Sequence, residues 1–249
     1  MSFLKGSRPL ITSMLQARTP ERIEYLMDNS VRDGADAFGM QFERIGSEYQ
    51  TPETYKRLFA HAKGRPVYVT HYRFANNEGK SDEVLADEML EIARCGATLC
   101  DVMGDIFDKT DGELTMDEKA IQKQKVYIDR LHKEGAEVLM SSHVMKFTPA
   151  ERVLEIATEH KKRGADISKI VTMAYTAQEQ IENLRAIVLL KEKLGIPFLF
   201  LCGGECNILR RVGTDLGCRM ALGVYEHDDI ATPTQPLIKQ LVAIRDNIR

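Results

Sequence analysis

The stretch Gly164-Ala-Asp-Ile-Ser-Lys-Ile-Val-Thr-Met173 decides the fold, because it joins the end of a helix to an apolar strand. Glycine directly after a helix ends that helix and turns the chain toward the next element. The same Gly-Ala pair, followed by an acidic or polar residue, recurs at Gly34, Gly96 and Gly135. A sequence motif repeated in this way predicts repeated strand–helix units.

Eight apolar strands and eight amphipathic helices alternate along the chain. The predicted strands are Pro9–Leu15, Asp36–Phe42, Pro66–His71, Thr98–Met103, Glu137–Ser142, Ile167–Met173, Pro197–Cys202 and Cys218–Val224. The predicted helices are Pro20–Asp33, Pro52–Lys63, Asp82–Cys95, Thr115–Glu134, Pro149–Arg163, Ala177–Leu194, Asn207–Gly217 and Thr234–Ile248. Threonine–proline pairs at Thr19, Thr51 and Thr148 predict capped helix starts. We predict an α/β fold, a single (β/α)8 TIM barrel in one domain over residues 1–249, with an open doubly wound sheet as the alternative.

The composition excludes several classes of partner. The 249 residues carry 34 basic and 37 acidic side chains, so no basic excess predicts a nucleic acid or a membrane surface as partner. The first residues do not resemble a signal peptide, and the longest apolar stretch, 196–202, is too short to span a bilayer, so we expect a cytoplasmic protein. Five scattered cysteines predict reduced, buried thiols. Cys202 and Cys206 have no third ligand in the sequence pattern, so no metal is predicted.

Lys169 is the residue in the opening stretch that predicts chemistry. Burying an ammonium group without a partner is costly, so a lysine inside an apolar strand indicates a use for its amine. A desolvated amine is a nucleophile toward carbonyls and forms Schiff bases. Taken alone, such a lysine is more often solvated or ion-paired. His143, which ends the apolar run one strand upstream, supplies a general base, and the pair predicts an enzyme.

The active site of a (β/α)8 barrel is built at the carboxyl ends of the strands. Polar residues stand at these ends in the predicted pattern, and one barrel mouth is expected to gather them. They are Gln41, Glu43, His71, Arg73, Glu78, Asp101, His143, Lys169, Arg210 and Gln235.

These residues resemble, in order through nearly the whole chain, the motifs of the type I 3-dehydroquinases, Schiff-base barrels of the shikimate pathway. Ser141-Ser-His143 and the segment around Lys169 resemble the catalytic histidine and lysine motifs. Thr70-His-Tyr-Arg73 with Asn77-Glu78-Gly79 resembles the third-strand motif. Asp101, Arg210 and Gln235 fit three further family positions.

The resemblance implies a 3-dehydroquinate dehydratase. Lys169 would form the imine, His143 would be the general acid and base, and Glu78 would orient the imidazole. The implied substrate-binding residues are Arg210, Gln235, Arg73, Gln41 and Asp101. No cofactor is implied, since the imine is the electron sink. The implied partner is a hydroxylated cyclic keto acid, and a homodimer is expected.

The second strand departs from the family pattern, which is usually Glu-x-Arg-x-Asp. Gly39, Gln41 and Glu43 occupy those positions here, and Ala231 replaces the serine of the closing loop. The losses affect groups that read substrate hydroxyls and carboxylate, so a Schiff-base lyase or aldolase acting on a different hydroxylated keto acid is the first alternative. A phosphate-binding barrel is the second, because Gly203-Gly204 follows the seventh strand. A barrel that binds ligand without catalysis is the third.

Overall fold

The computed structural model of the protein describes residues 2–248. The strands are β1 Leu10–Leu15, β2 Ala37–Gln41, β3 Val67–Thr70, β4 Leu99–Met103, β5 Glu137–His143, β6 Ile167–Ala174, β7 Phe198–Gly204 and β8 Met220–Gly223. The helices are α1 Pro20–Arg32, α2 Pro52–His61, α3 Asp82–Arg94, α4 Glu118–Lys133, α5 Ala150–Lys162, α6 Ala177–Lys193, α7 Leu209–Leu216 and α8 Ile238–Asn247. Short 3₁₀ helices span Phe42–Arg44, Ser47–Tyr49 and Ala75–Asn77.

The eight strands form one parallel sheet, and the fold is a single (β/α)8 barrel that is nearly closed. Their order follows the chain from β1 to β7, and β8 lies beside β1. A doubly wound sheet would reverse its order at a switch point, and this order does not. The barrel prediction is confirmed, and the alternative of an open doubly wound sheet is wrong.

The described residues divide between two compact units. The first unit contains residues 2–101, 130–137 and 222–248, and the second contains 102–129 and 138–221. One domain over residues 1–249 stays a prediction, and the end residues Met1 and Arg249 lie outside the described residues.

The polar residue after each Gly-Ala pair has a structural purpose. In the second unit, Asp166 donates its backbone N–H to Val138 O at 2.9 Å, and its carboxylate accepts the Val138 N–H at 2.8 Å. The two bonds join the starts of β5 and β6. In the first unit the same two-bond pattern joins Asp36 to Ile11 and Thr98 to Val67. Gly164 itself adopts φ 102°, where a side chain would be strained.

Two of the three predicted threonine caps are confirmed. Thr19 and Thr51 each accept a backbone N–H from the first turn of the following helix, and proline occupies the first helical position. The third is wrong, because the Thr148 hydroxyl donates to Lys146 O and α5 begins at Ala150. The N–H of Ala150 is instead satisfied by Glu182 of α6 at 2.9 Å.

Some helix ends differ from the predictions. Helix α8 begins at Ile238 rather than Thr234, because a turn in which Gln235 N donates to Thr232 O precedes it. Helix α4 begins at Glu118 and α7 at Leu209, both later than predicted.

All five thiols are free, and four are buried as predicted, whereas Cys95 is half-buried. Within residues 2–248, no helix is long and apolar enough to cross a membrane.

Candidate active site

Lys169 lies on β6 with only 5% of its surface exposed. Its partner in the register of β5 is Ser141, and on the other side it is paired with Leu199 of β7. His143 is paired with Val171, two residues farther along the same pair of strands. Because residues i and i+2 of a strand share a face, the lysine and the histidine lie on one face of the β5–β6 pair. The structure therefore brings together the two residues that predicted the chemistry.

The His143 imidazole is held by Glu113, a residue of the loop between β4 and α4. Its Oε2 atom lies 2.6 Å from His143 Nδ1 and accepts the His143 backbone N–H at 3.0 Å. A carboxylate only accepts, so Nδ1 carries the proton toward Glu113. In this tautomer the lone pair that takes up a proton is on Nε2.

Glu78 is the residue that we predicted to orient the imidazole. It lies exposed after the 3₁₀ helix Ala75–Asn77, where its N–H donates to Ala75 O. Asn77 turns inward instead, is fully buried and donates to Tyr72 O at 3.0 Å. The carboxylate on the imidazole comes from the next loop along the chain, which sequence comparison with the family motif did not single out.

Arg210 lies in the first turn of α7 and is half-buried. Its Nε atom is buried without a hydrogen-bond partner among residues 2–248. Burial lowers the pKa of this guanidinium, and the nearby Cys202 partly offsets the shift by raising that pKa. Buried donors are normally paired, so an unpaired one suits an anionic ligand such as a carboxylate.

In the first unit, Asp101 of β4 is the centre of a buried cluster with two tyrosines of the β3 region. Its Oδ2 atom accepts hydrogen bonds from the hydroxyl of Tyr68 and, at 2.5 Å, from that of Tyr72. Burial raises the pKa of both tyrosines, so their hydroxyls stay protonated and donate. The tyrosines were not predicted, although Tyr68, Thr70 and Tyr72 alternate along one face.

Glu43 is a second buried carboxyl group of the first unit. It is fully buried, and Thr70 Oγ1 donates to it at 2.9 Å. Burial raises its pKa to about 7, so near neutral pH the group is partly protonated.

Gly39 stands where the family's second strand carries its first acid. It is paired with Met14 of β1 and with Tyr68 of β3. A Cβ atom at Gly39 would overlap the Met14 sulfur and lie 3.2 Å from Tyr68 Cδ1. A longer side chain would therefore have to displace the flexible end of Met14.

The remaining predicted binding residues of the first unit lie in different surroundings. Arg73 is engaged by Asp82 through two hydrogen bonds of 2.7 and 2.8 Å. Gln41 ends β2, and its Oε1 atom is buried without a partner in the described part of the chain. Gln235 is buried, and its Oε1 atom also has no hydrogen-bond partner among the described residues. Its backbone carbonyl oxygen lies 2.8 Å from His227 Nε2 and accepts a hydrogen bond from it.

The two glycines that suggested phosphate binding are required for packing. A side chain on Gly203 would meet the Met173 sulfur, and one on Gly204 would overlap the Ala174 carbonyl. No group of three or more His, Cys, Asp or Glu side chains within residues 2–248 is placed to hold a metal ion.

A family model matches nearly the whole chain. The model of the type I 3-dehydroquinase family matches residues 12–248. A 3-dehydroquinate dehydratase of Klebsiella pneumoniae is 30% identical over 169 residues, which are 67% of this chain and 62% of that relative. The match thus spans less than two thirds of the relative's length.

Solved structures share the fold. The 3-dehydroquinate dehydratase of Geobacillus kaustophilus superposes with a TM-score of 0.80 at 17% identity, covering 99% of this chain and 95% of that one. The type I 3-dehydroquinate dehydratase of Clostridium difficile, solved with covalently modified comenic acid, superposes with a TM-score of 0.79 at 18% identity, covering 98% and 94%.

Proposed function

Because the chain belongs to the type I 3-dehydroquinase family, we propose that it is a 3-dehydroquinate dehydratase, a hydro-lyase that converts 3-dehydroquinate to 3-dehydroshikimate and water. The observation that carries the proposal is the buried amine of Lys169 on the same strand face as His143. Family membership supports this reaction, and the pair of side chains supports the proposed chemistry.

Lys169 forms the covalent intermediate. Its amine adds to the C3 ketone of the substrate, and loss of water gives a protonated imine. The imine nitrogen withdraws electrons and acidifies the C2–H bond. No cofactor is needed for this step, because the imine is the electron sink.

His143 moves the proton. Its Nε2 atom takes the C2 proton, and the resulting imidazolium protonates the C1 hydroxyl, which leaves as water. The double bond forms between C1 and C2. Water then hydrolyses the imine, which releases 3-dehydroshikimate and restores the lysine amine.

Arg210 binds the substrate carboxylate in this proposal. A guanidinium offers two parallel donors to a carboxylate, and its Nε–H is unpaired within the described residues. Asp101, Gln41 and Gln235 are proposed to bind the substrate as well. For Arg73 and Glu78 the surroundings favour other roles, an ion pair with Asp82 and an exposed loop position.

Removing the amine tests the mechanism. Formation of 3-dehydroshikimate is followed by absorbance with the native chain and with Lys169→Ala, and we expect a loss on the order of 10⁴-fold or more. Borohydride added with substrate should leave a stable adduct on Lys169 of the native chain. Lys146→Ala is the matched control, because this exposed lysine pairs only with Asp111 in the described contacts. Turnover with Lys169 unmodified would overturn the mechanism.

A Schiff-base lyase or aldolase acting on a different hydroxylated keto acid is the second candidate. Gly39 favours it, since it lacks the family's acid and the Met14 and Tyr68 side chains lie where that acid would begin. A panel of cyclic and open-chain keto acids assayed beside 3-dehydroquinate separates the two. A kcat/KM for another compound at least tenfold above that for 3-dehydroquinate would select this candidate.

We also propose a cytoplasmic homodimer whose partner is the small hydroxylated cyclic keto acid, with no nucleic acid or membrane as partner. The near balance of 34 basic and 37 acidic residues supports the absence of a nucleic acid or membrane partner. Sedimentation equilibrium of the full chain measures the oligomeric state, and a monomer at micromolar concentration would contradict the dimer.

A further inference from the structure

We propose that Glu113, on the loop between β4 and α4, is the residue that positions the His143 imidazole. Its catalytic consequence rests on the proposed function, whereas its structural consequence does not. One carboxylate oxygen receives both the ring Nδ1–H and the backbone N–H of His143. This arrangement fixes the ring about its side-chain torsions and selects the tautomer that carries its lone pair on Nε2.

The backbone of Glu113 is anchored to the strand that carries the histidine. The Ser142 hydroxyl donates to Glu113 O at 2.6 Å, and its oxygen lies 3.0 Å from His160 Nε2. His160 Nδ1 in turn lies 2.9 Å from Ser168 Oγ on β6. Consecutive residues of β5 therefore hold the carbonyl and the carboxylate of one loop residue.

Glu113 adopts a conformation that only such contacts make stable. Its φ is 51°, in the left-handed region, where a residue with a side chain is strained. Residues held in such sparsely populated conformations cluster at functional positions.

A buried arginine keeps the whole loop in place. Arg163, 2% exposed, donates to the carbonyls of Gly104 at 2.9 Å and Thr115 at 2.7 Å, and to Gln124 Oε1 at 2.9 Å. Gln124 donates to Gly104 O and Ile106 O. The two ends of the loop are thus tied to one guanidinium, and Glu113 lies between them.

The carboxylate has an electrostatic role as well as a geometric one. When His143 takes a proton during the reaction, the ring becomes a cation, and a carboxylate 2.6 Å from Nδ1 stabilises that cation. Substitution by glutamine keeps an acceptor but removes the charge, whereas substitution by alanine removes both. The two variants separate orientation from charge.

Neighbouring carboxylates provide the controls. Asp111, two residues away on the same loop, is 85% exposed and pairs with Lys146. Glu78 is the competing assignment from the family motif and is exposed.

The kinetic test compares four variants with 3-dehydroquinate as substrate. We expect Glu113→Gln to lower kcat about tenfold and Glu113→Ala about 100-fold, with KM within about twofold, as found for residues that orient a reacting group. Asp111→Asn should keep the native kcat, and Glu78→Gln should cost less than Glu113→Gln. Borohydride trapping at Lys169 should persist in Glu113→Ala. A native kcat for both Glu113 variants, or a larger loss for Glu78→Gln, would overturn the proposal.

The tautomer of His143 gives a readout that does not depend on turnover. In ¹⁵N spectra of the full chain above neutral pH, with the His143 signal assigned by its loss in His143→Asn, we expect the Nδ1–H form. Glu113→Ala should show a mixture of both forms. If the native chain does not dehydrate 3-dehydroquinate, the proposed function fails, and this measurement alone decides the role of Glu113. A native Nε2–H tautomer, or an unchanged tautomer in Glu113→Ala, would refute it.

Discussion

The β5–β6 pair of the second unit and the β2–β3 pair of the first unit both carry buried polar groups, but the two pairs have diverged differently. On β5 and β6, Lys169 and His143 match the family motifs and share one face. On β2, Gly39 stands where the family has an acid, and its space is taken by Met14 and Tyr68. The two residues proposed to break bonds match the family motifs, whereas the second strand, whose family residues read the substrate, departs from them.

Chemistry explains the difference. Imine formation and proton transfer need one amine and one base in a fixed arrangement, so few substitutions preserve them. Hydroxyl groups are recognised by any donor or acceptor of suitable position. Recognition therefore tolerates exchange of residue type.

The largest effect among the following tests is expected for His143→Ala. Loss of the general acid and base should lower kcat by about 10²- to 10⁴-fold. The imine should still form, because Lys169 is unchanged, and mass spectrometry after borohydride treatment measures it. Near-native kcat in this variant would mean that the base lies elsewhere, and the contrast between the two strand pairs would lose its basis.

An intermediate effect is expected for Arg210→Lys. Lysine supplies a point charge instead of two parallel donors, and one charge-assisted hydrogen bond is worth about 1.5–3 kcal/mol. We expect kcat/KM to fall roughly tenfold to 100-fold, mainly through KM. Arg211→Lys is the control at the adjacent position. Equal losses in the two variants would argue against a specific role of Arg210.

The smallest effect is expected for Glu43, whose substitution should change how the free energy of unfolding depends on pH. Its pKa in the folded chain is about 7, raised from 4.5. A raised carboxyl pKa means that the folded state holds its proton longer than the unfolded state, so the stabilising contribution is complete below about pH 4.5 and is lost as pH rises to 7. Glu43→Gln does not titrate and should gain about 2–3 kcal/mol relative to the native chain between pH 5 and pH 8.

Urea unfolding at the two pH values measures this difference, and exposed Glu53→Gln serves as the control. A Glu43→Gln variant whose relative stability is the same at both pH values would show that Glu43 titrates normally. The first unit would then hold an ordinary carboxylate at this position, as the family does.

Much of the fold could be predicted from the sequence, because its signals are local. Each Gly-Ala pair ends a helix at a left-handed glycine, and Thr19 and Thr51 cap helices within three residues. The prediction of a threonine cap on α5 was wrong because a contact distant in sequence replaces the local one. Glu182 of α6, rather than Thr148, accepts the N–H at the start of α5.

The candidate site was harder to predict, since it depends on contacts distant in sequence. Lys169 and His143 could be found, because unusual residue types stand in apolar strands. Glu113 lies 30 positions from His143 in a loop of ordinary polar composition, and only the folded chain shows their contact. The alternation of Tyr68 and Tyr72 was a readable signal for the cluster around Asp101.

The bond between Asp166 and Val138 has a consequence at the other end of β6. It joins the second residue of β5 to the residue just before β6, and Lys169 follows Asp166 by three positions. A slip of one residue would turn every side chain of β6 to its opposite face and carry the amine away from His143. The placement of the Lys169 amine therefore depends on a carboxylate at the start of the strand, and a harmful change at Asp166 would act by shifting the register of β6.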